Sequence, residues 1–207
     1  MRYFITPNYS LAFIPKSGCS TLARCVIDSF QPDENLLIEN GAYPEGKTPD
    51  NSQWQWMAKV EHTPSKPILA FIREPLSRFL SAMAQFGLTD VSAALESLTA
   101  GTHLQLRKRT IDLSTNPHFL PQINWVDANT KLYKFPDHLN EGALEIGFTL
   151  PLPIINAASN PKPVPTAEQE AAILQYYTED TILYNSIITP GIVTEITEER
   201  ISAIELT

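Results

Sequence analysis

Apolar and polar positions alternate between two periods along this chain, and the switches mark its elements. Ser10 to Ile14 and Arg2 to Thr6 read as two short strands around Pro7-Asn8, and apolar positions from Leu22 to Phe30 then recur at helical spacing. Ile68-Leu69-Ala70-Phe71-Ile72 is an unbroken apolar run of strand formers, the pattern of a parallel strand buried on both faces. Arg73-Glu74-Pro75 ends it, and Leu76, Phe79, Leu80 and Met83 follow at i, i+3, i+4 and i+7, with Pro75 in the first turn of the helix. The opposite face of that helix carries Ser77, Arg78, Ser81 and Gln85. Further on, the pattern predicts a helix over Val91 to Leu98 and a strand over Lys131 to Phe135. Thr166, with Gln169 three residues later, forms a capping box that opens a helix to about Ile187.

Two segments break the rhythm. Gln31 to Trp56 is rich in Pro, Gly, Asn and Asp and reads as a long irregular excursion over the site, with Trp54 and Trp56 as stacking platforms for a sugar or as core residues. Pro151 to Pro165 holds five prolines and reads as an extended surface segment. Strands alternating with helices predict a single α/β domain over residues 1–207, a three-layer sandwich around a mainly parallel sheet. Ligands in such a sheet bind at the carboxyl ends of the strands.

Composition narrows the function. With 207 residues, 43% of them hydrophobic, the chain can bury a full core. A net charge of -8 argues against nucleic acid as a partner, because that affinity comes from neutralising phosphates. The two cysteines, Cys19 and Cys25, lie on different faces of one helix and cannot pair. No run approaches the roughly 18 apolar residues of a membrane span, so a reduced, soluble, cytoplasmic protein without a membrane partner is expected. Oligomeric state is left open.

The chemistry concentrates where the strand Ser10 to Ile14 turns into the first helix, at Lys16-Ser17-Gly18-Cys19-Ser20-Thr21. Backbone N–H groups and the positive end of a helix dipole converge there, Lys16 adds a charge, and Ser17, Ser20 and Thr21 add hydroxyls. The stretch fails the Walker A pattern, in which the lysine follows the glycines; here it precedes a single Gly. A second cluster stands at the end of the next buried strand, where Arg73, Arg78 and Ser81 offer guanidinium groups and a hydroxyl to a terminal phosphate. Arg78 taken alone reads as an ordinary solvated helix residue.

Ile14-Pro15-Lys16-Ser17-Gly18-Cys19-Ser20-Thr21 resembles the 5'-phosphosulfate loop of sulfotransferases that use 3'-phosphoadenosine-5'-phosphosulfate (PAPS), and Arg73 with Ser81 eight residues later resembles their 3'-phosphate element. Pro117-His118-Phe119-Leu120-Pro121-Gln122 resembles the His-x-x-Pro-Gln segment of the carbohydrate sulfotransferases that include the chondroitin enzymes. Leu152-Pro153-Ile154-Ile155-Asn156 resembles their Pro/Asn segment, and Tyr176, Asp180, Leu183 and Tyr184 their closing helix, so the likeness runs from about residue 10 to 187. Where that family carries a Glu after the aromatic that ends the last strand, this chain has Pro136-Asp137-His138.

The resemblance implies a P-loop-NTPase-like sulfotransferase fold and a sulfuryl transfer from PAPS, the co-substrate, to a hydroxyl of a small-molecule or glycan acceptor, with no metal. It implies that Lys16, Ser17, Gly18, Cys19, Ser20, Thr21, Arg73, Arg78 and Ser81 bind the nucleotide, and that Lys16 also stabilises the leaving phosphate. A base must take the acceptor's proton; His118 is the first candidate and His62 the second, with weaker cases for His103 and His138. Arg107, Lys108 and Arg109 form a basic run that can touch the nucleotide or an acidic acceptor, or simply face water. Two other functions remain open: a nucleotide-dependent kinase of related fold, and a non-catalytic protein that keeps the nucleotide site.

Overall fold

The computed structural model describes residues 1–30, 60–61, 63–106, 109–153 and 160–191. Thr6, Pro7, Asn8 and Tyr9 make a tight turn in which Thr6 N and Oγ1 both donate to the Tyr9 carbonyl, at 3.0 and 2.8 Å, and Tyr9 N donates to Thr6 Oγ1 at 3.1 Å. That turn sets β1 (Tyr3–Ile5) antiparallel to β2 (Ser10–Ala12), and β2 leads through residues 13–18 into α1 (Cys19–Phe30). β3 (Val60–Glu61) pairs with the free side of β1. β4 (Ile68–Arg73) pairs in parallel with β2, and its end passes directly into α2 (Pro75–Phe86).

After α2 come α3 (Val91–Ala100), a hairpin of β5 (His103–Leu106) and β6 (Arg109–Asp112), a 3-10 turn (Gln122–Trp125), β7 (Lys131–Phe135) and α4 (Leu139–Ile146). α5 (Ala167–Tyr176) and α6 (Thr178–Ser186) close the described chain. The main sheet has the order β3-β1-β2-β4-β7, in which β1 alone runs against the other four strands. The protein is thus a mixed α/β fold with a mostly parallel sheet and six helices among the described residues.

The unbroken apolar run of β4 has the expected cause. Leu69 and Phe71 pack with Leu22, Ala23 and Val26 of α1 and Ala143 and Ile146 of α4, while Ile68, Ala70 and Ile72 pack on the other face with Trp125, Leu183 and Ile187. Both faces are covered, so alternation with polar residues has no room. A third cluster joins Phe79 and Met83 of α2 to Val91, Ala94, Leu98, Ile111, Phe119, Ile173 and Tyr177, away from the sheet. α4 approaches closely because Gly142 has no side chain: a Cβ there would lie 2.5 Å from the Phe71 ring.

Two predicted elements change shape. The helix from Thr166 is opened by a complete capping box with Gln169, but it breaks at Tyr177 instead of running to Ile187. Burial explains the break: Tyr177 is 2% exposed, its hydroxyl donates to the Phe119 carbonyl at 2.5 Å, and the chain restarts so that Asp180 turns inward. Arg109 of the basic run lies in the hairpin, where it pairs with Leu106. Arg107 and Lys108 themselves lie outside the described residues, as do Gln31 to Trp56, His62 and Ile154 to Asn156.

Candidate anion-binding site

The parallel strands β2, β4 and β7 deliver three segments to one edge of the sheet: the loop 13–18, Arg73 at the end of β4, and Phe135 at the end of β7. In the loop, Lys16 has φ 71 and Gly18 φ 79, both left-handed, a conformation that costs a lysine about 1–2 kcal/mol. The surroundings hold it there. Arg73 Nη1 donates to the Lys16 carbonyl at 2.8 Å, and Arg78 Nε donates to the Pro15 carbonyl at 3.0 Å. The Phe135 ring closes over Gly18, where any Cβ would come within 2.6 Å of it. α1 begins its ladder with Leu22 N donating to the Gly18 carbonyl at 3.0 Å, so the amides before Leu22 open the helix beside Lys16.

Gln122 joins this loop to the β4 end. Its Oε1 accepts from Ser17 Oγ at 3.0 Å and from Arg73 N at 2.9 Å, while its Nε2 donates to the Arg73 carbonyl at 2.8 Å. Gln122 is fully buried and is in turn held by Asp180, whose two carboxylate oxygens accept from Gln122 N at 2.8 Å and Ile123 N at 3.0 Å. Burial pushes the Asp180 carboxyl above its ordinary value, a shift that the two N–H groups and Arg78 partly offset. Of the closing-helix residues, then, Asp180 anchors the site, Leu183 is core, and Tyr184 lies under Lys134, whose ammonium is 4.6 Å from the ring centroid.

Several of the predicted ligand side chains are buried or bonded within the fold. Arg78, expected on an open polar face, is 1% exposed; its guanidinium spans Pro15 and the Pro117 carbonyl (3.4 Å), which ties the loop to the segment bearing His118. Ser81, one turn on, is also buried, at 4% exposure. Both residues share a helix face as predicted, but that face points inward because α2 is covered on nearly all sides. Ser17 spends its hydroxyl proton on Gln122, and Thr21 donates to the Pro153 carbonyl at 3.1 Å. Cys19 and Ser20 are buried. What these side chains shape is the backbone of the loop.

Lys16 and Arg73 remain as the half-buried cations of the site. Arg73 also donates from Nε (3.2 Å) and Nη2 (3.0 Å) to Ser77 Oγ, which with the Lys16 bond engages three of the five N–H groups of a guanidinium. Its face lies over Phe135, 5.6 Å from the ring centroid. Burial lowers the Lys16 ammonium below its ordinary value; Cys19 opposes this, and Arg73 and Lys162 add to it. Lys162 is a residue that sequence reasoning missed. It stands on the Pro-rich segment, which Asn160 fastens to α2 by donating from Nδ2 to the Ala84 carbonyl at 2.9 Å, and Arg73 and Glu74 both act on it electrostatically.

His118 reaches the site through α2. Lys16 Nζ donates to Gln85 Oε1 at 3.0 Å, Gln85 Nε2 stands 3.4 Å from His118 Nε2, and His118 Nδ1 stands 3.1 Å from Asn116 Oδ1. Phe86 meets the imidazole edge-on, with centroids 5.1 Å apart. His103 begins the hairpin and His138 precedes α4, where its Nδ1 lies 3.4 Å from Lys134 N. The structure therefore brings Lys16, Arg73 and His118 together, with Gln85, Gln122 and Asp180 as unpredicted supports. No group of three or more metal-ligating side chains occurs among the described residues. No helix among them is long and apolar enough to cross a membrane. Chemically, the site offers two partly desolvated cations and helix-opening amides to an anion, and an imidazole beside them. Comparison with known proteins finds no matching family model, no matching curated protein and no matching solved structure.

Proposed function

We propose that the chain is a sulfotransferase that moves the sulfuryl group of PAPS to an acceptor hydroxyl, with carbohydrate as the acceptor class, on a P-loop-NTPase-like sulfotransferase fold. The observation that carries this reading is the contact between the two motifs: Arg73 bonds to the Lys16 carbonyl at 2.8 Å at the carboxyl edge of β2 and β4. Two phosphate-binding segments in one cradle suit a ligand with two separate phosphates. The lysine precedes the Gly, unlike a Walker lysine, and in this order the loop resembles the phosphosulfate loop of sulfotransferases.

In this reading the amides from Gly18 to Thr21 hold the 5'-phosphate and Lys16 faces the oxygen that bridges it to sulfur. Arg73 takes the 3'-phosphate, with Lys162 close enough to add charge. Arg78, Ser17 and Gln122 keep the loop in shape without touching the nucleotide. The acceptor oxygen attacks sulfur, the bond from sulfur to the bridging oxygen breaks, and the hydroxyl proton passes to His118 Nε2. The products are a sulfate ester and 3',5'-ADP.

Thermal-shift and calorimetric titrations test the donor. Stabilisation by 3',5'-ADP and not by ATP with magnesium is expected, and the reverse preference would replace the reading with a kinase. Arg73→Ala is expected to remove the 3',5'-ADP shift. His118→Ala is expected to keep nucleotide binding and to lower transfer of radiolabelled sulfate to mixed glycans at least about 100-fold; unchanged turnover would take the base away from His118.

A further inference from the structure

Hydrogen-bond polarity along the chain Lys16, Gln85, His118, Asn116 runs one way only. An ammonium can only donate, so Gln85 must turn Oε1 toward Lys16, at 3.0 Å, and its Nε2 protons toward His118. His118 Nε2, 3.4 Å from that amide nitrogen, must then accept. The other end gives the same answer independently. The His118 backbone N–H donates to Asn116 Oδ1 at 3.0 Å, which fixes that atom as the oxygen, and the same oxygen lies 3.1 Å from His118 Nδ1, which must therefore carry the proton.

From these two ends we infer that Asn116 is a positioning residue that locks neutral His118 in its Nδ1–H tautomer, with the Nε2 lone pair directed to the Gln85 amide that also holds Lys16. The ring of a free histidine side chain prefers the opposite tautomer, so the lock has something to overcome. When Nε2 takes a proton it becomes a donor and can no longer face the Gln85 amide N–H groups. Turning that amide over would set them against the Lys16 ammonium. Proton capture at His118 therefore opens the longer His118–Gln85 contact (3.4 Å) and leaves the Gln85 oxygen on Lys16. Among the described residues, the groups around the imidazole include Gln85 and the Phe86 ring on α2, Asn116 on its own segment, Arg78 at the Pro117 carbonyl, and Lys16 beyond Gln85.

The catalytic meaning rests on the sulfotransfer reading: the lone pair kept on Nε2 is the one that takes the proton of the acceptor hydroxyl. The tautomer does not rest on it, and it is measured without substrate. Full-length protein labelled with 15N-histidine, at about pH 8.5 to keep imidazole neutral, is read by two-bond proton–nitrogen correlation, with His118 assigned by its loss in His118→Gln. A protonated Nδ1 and an unprotonated Nε2 are expected in the unaltered protein; the opposite pattern overturns the inference and needs no variant that must fold. Asn116→Ala is expected to move at least half of the His118 population to the Nε2–H form, and Asn116→Asp, which keeps the acceptor oxygen, to restore Nδ1–H. An Asn116→Ala spectrum equal to the unaltered one also overturns it. A correct tautomer in a protein that ignores 3',5'-ADP would sink the sulfotransfer reading and leave the lock standing.

Discussion

Arg78 carries a full charge at 1% exposure and donates to two backbone carbonyls, Pro15 and Pro117, from different parts of the fold. Arg78→Met fills similar volume and leaves both acceptors without their donor, so unfolding in urea should show a loss of about 2–4 kcal/mol. A phosphate ligand would behave otherwise, losing nucleotide affinity with little change in stability. Lys16 gives a prediction in pH. Burial holds its ammonium below the ordinary 10.5, so between that lowered value and 10.5 the unfolded chain binds more protons than the unliganded fold. Stability from this group therefore rises with pH across that window. Affinity runs the opposite way: a bound phosphate needs the charged form, so calorimetry should show 3',5'-ADP binding weakening as pH climbs through the lowered value, before 10.5 is reached. Lys16→Arg should keep affinity flat over the same range. At this scale the sequence shows which residues carry charge near a strand end, as for Lys16 and Arg73. It does not show which of them face inward, because Arg78 and Ser81 take their burial from elements far along the chain.

Glu74 decides how the start of α2 is used. Its carboxylate accepts from Leu76 N at 3.0 Å and Ser77 N at 2.6 Å, so that helix terminus carries its own anion, whereas α1 begins with no acidic residue in its first turn. An incoming anion thus has α1 as its helix end, with Glu74 as a negative neighbour to Arg73. Glu74→Gln should cost about 1 kcal/mol of stability by thermal or urea unfolding and, by removing that charge, raise 3',5'-ADP affinity about 2–5-fold. Elements were legible where the cause was local. β4, α2, β7 and the Thr166 capping box follow from apolar period, Pro75 and cap chemistry. α4 escaped because it is short and contains Gly142, and the break at Tyr177 escaped because a distant partner, the Phe119 carbonyl, imposes it. Lys162 has no local pattern at all; an isolated lysine among prolines becomes part of the site only through where the segment crosses α2.

Across the whole molecule the charge is -8, yet Lys16, Arg73 and Lys162 gather at one edge of the sheet. A ligand with several negative charges is repelled by the molecule as a whole and attracted by a small part of it. Binding of 3',5'-ADP should therefore weaken with salt, by about 3–10-fold between roughly 50 and 300 mM sodium chloride, because short-range attraction between partly exposed charges is screened at those strengths. An affinity that does not change with salt would mean that the phosphates are held mainly by buried amides. Parts of this edge come from nearly the full length of the described chain: Lys16 near the start, Arg73 and Gln122 in the middle, and Asp180, which holds Gln122 in place, near the end. During synthesis the loop at Lys16 leaves the ribosome first and waits, without its brace, until α6 has followed it out. A growing chain stopped short of Asp180 should capture no nucleotide, and the sheet edge becomes competent only once α6 has emerged and folded against Gln122.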